Sequence, residues 1–457
     1  MDESLALARH IAATHFHDIP MPVVETTKRS ILDALGVTLA ASTLGEGCQS
    51  FIDLAVAEAS GGACTIVGTG HKVSPTMAAF ANGAMAHALD FEDAHDAALV
   101  HPNAPTIPAA LAIAESLGNV SGRDFITAVA LGSDLVCRMG LALKRDLLAD
   151  GWYMPPILGA FGATAAACKL LGLNERQILD AFSLALCQAT CSAEQIHSRR
   201  TIIRSIRDAF PAKAGLISAL LAQRSVIGFE QPFEGRGGLY QSYARGEYDR
   251  DKLTADLGKT FEGGRVSFKA WPSCRAAHPY VGAALELVAN HQVNPQEIQS
   301  IHIIVSPTNR MVCEPAPVKL NPATAIDAKF SLYFCVATAC IHRQVTLDQF
   351  TPDALTDSAV LALAHRVTYS FDPTLERGST VQGTVAIHLA DRSLTQAVGV
   401  PYGHPANPMS DMALISKFKD CARHARRALR PADADRIVQL VLAMDKIENV
   451  CELASYL

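Results

Sequence analysis

ANGAMAHALDFEDAHDAALVHPNAP, residues 81–105, carries an apolar helical pattern into a cluster of acids and imidazoles. Ser74 is a good N-cap and Pro75 suits a first helical position. The segment from Pro75 to about Phe91 is therefore predicted to be a helix, with Met77, Phe80, Ala81, Ala84 and Ala88 on its buried stripe. Asp90 falls at its C-terminal end, where the helix dipole already adds negative partial charge, so helix stability does not account for this carboxylate. Thr106 and Pro108 mark the start of the next helix. That leaves a loop of roughly fifteen residues, a length that compact domains reserve mostly for function or disorder. Asp90, Glu92, Asp93, His95, Asp96 and His101 lie within it or at its mouth. The plain alternative is a set of solvated loop charges, with His101 merely preceding a proline turn.

Outward from this stretch, apolar residues recur at three and four positions from Glu3 to about Leu257. Examples are Val23 to Ser42, Gly122 to Leu143 and Pro211 to Arg224, each with an apolar stripe and an end signal. This part is expected to be all-helical. After Gly263 and Gly264, β-branched alternation predicts strands at Ile298–Ser306, Arg366–Phe371, Ser379–Ala390 and Ser393–Val400, with helices at Pro279–His291 and Ala328–Ile341 between them. Helical periodicity resumes from Ser410. The expected fold class is mainly α: a large all-helical domain over 1–264, a smaller inserted α+β domain over 265–402, and C-terminal helices over 403–457 that return to the first. The crossings near Gly263 and Gly399–Gly403 would make a hinge, and sites often form where closure excludes water.

The chain has 457 residues, 49% of them apolar and 18% charged, with a formal charge of −6. That suffices for large buried cores, and no Lys/Arg run suggests a nucleic-acid partner. ILGAFGATAAACKLLGL, from Ile157 to Leu173, is interrupted by Lys169 and reads as a buried helix, so no membrane partner is expected. MDESLALARHIAATHF opens an amphipathic helix without a secretory pattern. Twelve scattered cysteines form neither a disulfide framework nor a zinc or iron–sulfur spacing, and a reducing cytoplasm is the expected location.

Glycine-rich VGTGHKVS at Val67 and EGRGGLY at Glu234 lack the spacing of a dinucleotide or phosphate loop and read as turns. GxSxG and HExxH do not occur, and no metal or organic cofactor is expected. HSRRTIIRSIR, residues 197–207, would, if helical, place Arg200, Arg204 and Arg207 on one face able to grip a small polyacid; a solvated basic face is the alternative. In SFKAWPSCRAAHPYVGA, residues 267–283, Lys269, Ser273, Cys274, Arg275 and His278 surround a Trp-Pro turn beside the first crossing. An ordinary domain-entry turn would look the same.

ANGAMAHALDFEDAH, HPNAPTIPAALAIAE, GAFGATAAACKLLGL, FKAWPSC with His278, AKFSLYFCVATA and NPMSDMALISKF together resemble the MmgE/PrpD family over nearly the whole chain. That family includes 2-methylcitrate dehydratases, cis-aconitate decarboxylases and an iminodisuccinate epimerase. The resemblance implies a helical domain, a smaller lid domain, a site between them, a homodimer, and metal-free chemistry on small di- and tricarboxylates. It also implies site roles for Asp90 and His101, a lid role for Lys269, and positions near the substrate for Cys274 and His278. Three departures stand out. Tyr153, in GWYMPP, replaces a family histidine; Arg204 and Arg207, in IRSIRDA, replace a lysine and a histidine; Tyr333-Phe334 replaces a Pro-Tyr pair.

The chemistry so implied is removal of a proton next to a carboxylate, followed by loss of hydroxide, loss of CO₂ or reprotonation on the other face. His101 is the expected acid/base, with Asp90 orienting it or sharing the role. Tyr153 and Lys269 are expected proton donors, Arg204 and Arg207 a carboxylate clamp, and His95, Ser273, Cys274 and His278 further substrate contacts. Dehydration of the 2-methylcitrate kind is the first expectation by analogy. Decarboxylation, epimerisation and a non-catalytic polycarboxylate binder are the alternatives.

Overall fold

The computed structural model describes every residue except 1, 60, 199, 200 and 376–381. The chain is mainly helical and packs as two compact units. One comprises Met1–Ala88, Glu92–Val266 and Asp411–Leu457; the other comprises Leu89–Phe91 and Ser267–Ser410.

In the first unit six helices position the site: α1 (Met21–Leu44), α2 (Pro75–Ala88), α3 (Asn103–Leu117), α4 (Gly122–Ala142), α5 (Met154–Leu170) and α6 (Ala209–Gln223). The GAFGATAAA run makes α5 the hub, packed against α3, α4 and α6. Small residues decide this. A Cβ on Gly132 of α4 would meet the Gly162 carbonyl at 2.6 Å, and one on Gly159 would meet Pro105 at 2.7 Å. Close approach of this kind replaces side-chain interdigitation with backbone-to-backbone packing. Among the described residues α4 is the one helix long and apolar enough to cross a membrane, but it is almost wholly buried in this unit. It also carries Asp134 and Arg138, paired at 2.7 Å, and the Arg138 guanidinium donates to the Ala255 and Thr260 carbonyls. The C-terminal helix Asp411–Ala422 packs on α1, where Lys417 meets the buried Asp33 at 2.6 Å.

The expectation of an all-helical first domain needs one correction. Strands β1 (Cys64–Ile66) and β2 (His71–Val73) form an antiparallel hairpin, with Gly68 and Gly70 in left-handed conformation at its turn. Three residues per strand are too few for alternation to show in sequence. Asn82 of α2 fastens the hairpin, donating to the Thr65 carbonyl at 2.8 Å and accepting the Val67 N–H at 2.9 Å.

The second unit is α+β. Strands β3 (Ser300–Val305), β4 (Val367–Phe371), β5 (Gly383–His388) and β6 (Ser393–Val398) form one sheet in the order β4-β3-β5-β6, with β3 and β4 parallel and the other pairs antiparallel. Strict burial alternation on β5 shows one covered face. Helix α7 (His278–Asn290) lies against β5 and β6 and packs on α8 (Leu332–His342); the Tyr280 ring occupies the space that Gly383 leaves by lacking a Cβ. The single helix expected over Ala328–Ile341 is instead two, broken at Phe330. Ser331 caps α8 by accepting the Phe334 N–H and donates to the Lys319 carbonyl at 2.6 Å, so its hydroxyl competes with helix continuation. Tyr333 and Phe334 are buried in this unit, the Tyr333 ring edge-on to Tyr369.

Helix α2 ends at Ala88 and not near Phe91 as expected, and α3 begins at Asn103, ahead of the expected Thr106. Asp90 has a φ of 48°, a left-handed conformation that aspartate tolerates better than most residues and that ends a helix. Gly83, one turn before His87, faces the start of α6. A Cβ there would lie 2.7 Å from the Asp208 carbonyl and 2.8 Å from the Ala212 Cβ. Gly83→Ala should therefore cost about 1–3 kcal/mol through overpacking. Thermal denaturation should show a lowered Tm, whereas Gly237→Ala, with nothing near its would-be Cβ, should melt like the parent.

Candidate active site

Each unit holds one cluster of ionisable side chains built around residues of the 87–101 stretch. In the first unit His87, on the last turn of α2, is fully buried and faces Glu92, also buried. The His87 Nδ1 hydrogen-bonds the Glu92 Oε1. His101 Nδ1 reaches that same oxygen at 2.8 Å and the Asp93 carbonyl at 3.1 Å, and the two imidazoles stand edge to face at 5.0 Å. His101 is the open member: its side chain is 16% exposed against 1% for Glu92. Behind His87, Asp208 Oδ2 lies 3.8 Å from Nδ1, and Arg207 Nε lies 3.6 Å from Asp208 Oδ2. Burial first, then Arg207, pushes the His87 pKa down against the pull of Glu92 and Asp208, so this imidazole is neutral near pH 7.

In the second unit Lys269 is buried, its Nζ 2.5 Å from Asp90 Oδ1 and 3.0 Å from the Asp90 carbonyl. Lys329 Nζ takes the Leu89 carbonyl at 2.6 Å. Two ammonium groups thus satisfy carbonyls that follow the last turn of α2. His278 opens α7 fully buried, with Arg275 Nη1 3.4 Å from its Nδ1 and the Trp271 ring at 5.2 Å. Burial first, then Arg275 and Lys269, holds His278 well below the usual imidazole range. Ser273 is buried here too, and the Cys274 N–H donates to the Lys329 carbonyl at 3.0 Å.

The remaining expected residues divide. Tyr153 precedes α5, its N–H bonded to the Cys191 carbonyl, and its ring lies under the Arg207 guanidinium at 4.8 Å. Arg207 is buried and donates to the Arg204 carbonyl at 2.7 Å, while Arg204 is only partly buried. Among the described residues of the stretch expected to be helical over 197–207, one helical turn forms, at Ile203–Ile206, and Arg207 follows it as its C-cap. Arg200 lies outside the described residues. His95 braces its own loop, accepting the Ala98 N–H at Nδ1 and standing 3.9 Å from Glu262 through Nε2. His87, Asp208 and Lys329 were not anticipated as site residues. His87 sits in an unbroken apolar run, and a histidine there reads as core; its one signal is the glutamate five residues on.

Ligand atoms of His87, Glu92 and His101 lie within 4.8 Å of one another, close enough to hold a cation. In the observed arrangement His87 Nδ1 hydrogen-bonds Glu92 Oε1, while His101 Nδ1 lies 2.8 Å from that oxygen and hydrogen-bonds the Asp93 carbonyl.

A partly open imidazole beside a buried carboxylate stands on a mainly helical scaffold with an α+β second unit. The chain belongs to the MmgE/PrpD family: the MmgE/PrpD N-terminal domain matches residues 5–251 and the C-terminal domain residues 271–446. A cis-aconitate decarboxylase-like protein of Aspergillus oryzae is 28% identical, with 95% of this chain and 93% of that protein aligned. The cis-aconitate decarboxylase of Homo sapiens is 25% identical over 100% of this chain and 94% of its own length. A probable 2-methylcitrate dehydratase of Saccharomyces cerevisiae is 20% identical over 97% and 88%.

Asp93 yields a pH prediction. Burial, then the nearby Asp33, raises its pKa to about 7, while Asn103 donates to its Oδ2 at 2.6 Å. The folded state therefore holds this proton over a range where the unfolded chain has released it. Its stabilising contribution is complete below about pH 4 and is lost as pH rises through 7. Asp93→Asn keeps an acceptor for Asn103 and removes the titration. The variant's Tm relative to the parent should rise between pH 5 and pH 8; a constant difference would show that Asp93 does not titrate there.

Proposed function

We propose that the chain is a cofactor-independent lyase of small di- or tricarboxylates, with His101 as its acid/base and decarboxylation of an unsaturated tricarboxylate as its reaction. The observation that supports the acid–base reading is the partly open His101 imidazole with its Nδ1 2.8 Å from the buried Glu92 carboxylate. The outcome, loss of CO₂, rests on the relatives: cis-aconitate decarboxylases align at 25–28% identity and the dehydratase at 20%. In such a step the C–C bond to one carboxylate breaks, its electron pair stays on the carbon chain, and a neighbouring carboxylate shares the charge. A proton from an imidazolium or ammonium then closes the new C–H bond. Lys269 and Asp90 supply a second proton-bearing pair, and Asp90 stands two residues from Glu92 in the chain. Ser273, Cys274, His278, Arg204 and Arg207 belong to this proposal as substrate contacts, Tyr153 as a proton donor, the second unit as a lid and the homodimer as the working assembly.

Dehydration of a hydroxytricarboxylate is the second reading, supported by the yeast relative. Here His101 takes a proton from the carbon next to a carboxylate, and the electron pair left behind expels hydroxide, which leaves protonated as water.

Incubation with ¹³C-labelled cis-aconitate and, separately, 2-methylcitrate, followed by NMR, separates the readings. A five-carbon dicarboxylate with CO₂ supports decarboxylation; an unchanged cis-aconitate with loss of water from 2-methylcitrate replaces it with the dehydratase. His101→Asn and Lys269→Met should each lower kcat by about 10²-fold or more with folding intact by circular dichroism. Chelation should leave turnover unchanged, and a stoichiometric ion whose removal abolishes it would overturn the cofactor-independent mechanism.

A further inference from the structure

We infer that Glu92 and His87 are positioning residues for His101: one buried carboxylate oxygen lies against two imidazoles, locks neutral His101 as its Nδ1–H tautomer, and so leaves Nε2 as the nitrogen that takes up and delivers the proton. The inference deepens the reading above and rests on it for the role of His101.

An ionised carboxylate accepts hydrogen bonds and donates none. His87 Nδ1 hydrogen-bonds Glu92 Oε1, and His101 Nδ1 stands 2.8 Å from the same oxygen, too close for two facing lone pairs, so each nitrogen carries its hydrogen, and in a neutral imidazole that leaves Nε2 bare. The Asp93 carbonyl, 3.1 Å from His101 Nδ1, asks for the same hydrogen, so both acceptors around that nitrogen select one tautomer. His87 meets the same carboxylate but does not compete as base, because it is fully buried while His101 is partly open. Its Nε2 has no hydrogen-bond partner among the described residues. A buried nitrogen left so costs stability, and its retention fits an imidazole needed for the hydrogen bond at its other end. The charged groups facing His87 are Glu92, Asp208 and, behind Asp208, Arg207; Arg207 in turn covers Tyr153. Two of the family departures thus adjoin this cluster within the first unit, Arg207 through Asp208 and Tyr153 through its stack on Arg207.

The test is ¹⁵N NMR of histidine-labelled protein without substrate, with the His101 signals assigned by their loss in His101→Asn. The parent should show the Nδ1–H tautomer, and Glu92→Gln should show a mixture with Nε2–H while its Tm stays within a few degrees of the parent. With a turned-over acid, Glu92→Gln should lose roughly 10²-fold in kcat with KM changed less than about threefold. His87→Asn places an amide N–H near the position of Nδ1 and should keep most of kcat, whereas His87→Leu should lose about tenfold. A merely structural role predicts that asparagine is no better than leucine. An Nε2–H tautomer in the parent, an unchanged tautomer in Glu92→Gln, or a stoichiometric metal ion that shifts both imidazoles would each overturn the inference. If no acid is turned over, the tautomer measurement still decides this inference, and only the proposed reaction fails.

Discussion

The end of α2 depends on carbonyls that the helix itself cannot satisfy. A helix leaves its last carbonyls without intrahelical donors, and within the second unit the carbonyls of Leu89 and Asp90 are taken by Lys329 and Lys269. Burying two ammonium groups is costly unless each meets several oxygens, and Lys269 meets two on the same residue, the Asp90 carbonyl and carboxylate. The left-handed turn at Asp90 follows from this, since a continued helix would point that carbonyl along the axis toward the next turn. The turn also ends α2 early enough for Glu92 to fold back on His87, five residues before it in the chain.

The first unit pays heavily in polar burial around that point. His87, Glu92, Asp93, Arg207 and Asp208 are all nearly inaccessible, and Asp33 and Lys417 form a further buried pair. Desolvation is offset partly by neutralisation, with His87 held neutral and the Asp93 proton kept up to about pH 7. It is also offset by dense small-residue packing. Gly83 lets the start of α6 sit directly on α2, and Gly132 and Gly162 let α4 and α5 cross closely. Such packing leaves the side chains around it little room to shift.

The reading of site residues from sequence followed contrast. Asp90 and His101 stand out as candidates because charged groups at the mouth of a long loop contrast with an apolar helix, and Lys269 because it lies in a polar turn at a change of periodicity. His87 does not, because a histidine within AMAHA has the sequence context of a core residue, and neither does Lys329 within AKFS. The arginine-rich stretch misled in the other direction. Its spacing fits a helix, yet among its described residues only Ile203–Ile206 forms one, because local propensity over so short a stretch is weaker than tertiary packing.

Periodicity by itself determined the helical body, the four strands of the second unit and the chain order of the two units, since each depends on which face of an element is apolar, and that is written in the spacing of residues. The short β1–β2 hairpin, the break at Ser331 and the end of α2 at Ala88 were decided by tertiary structure. Each turns on hydrogen bonds to residues distant in sequence or to competing side-chain hydroxyls. The partners of the carboxylates belong to the same category. Glu92 holds His101 and Asp90 holds Lys269 because of how the chain turns between them. Spacing in a loop carries no record of that turn, since a hydrogen bond is decided over about 3 Å and a loop residue can reach several times as far.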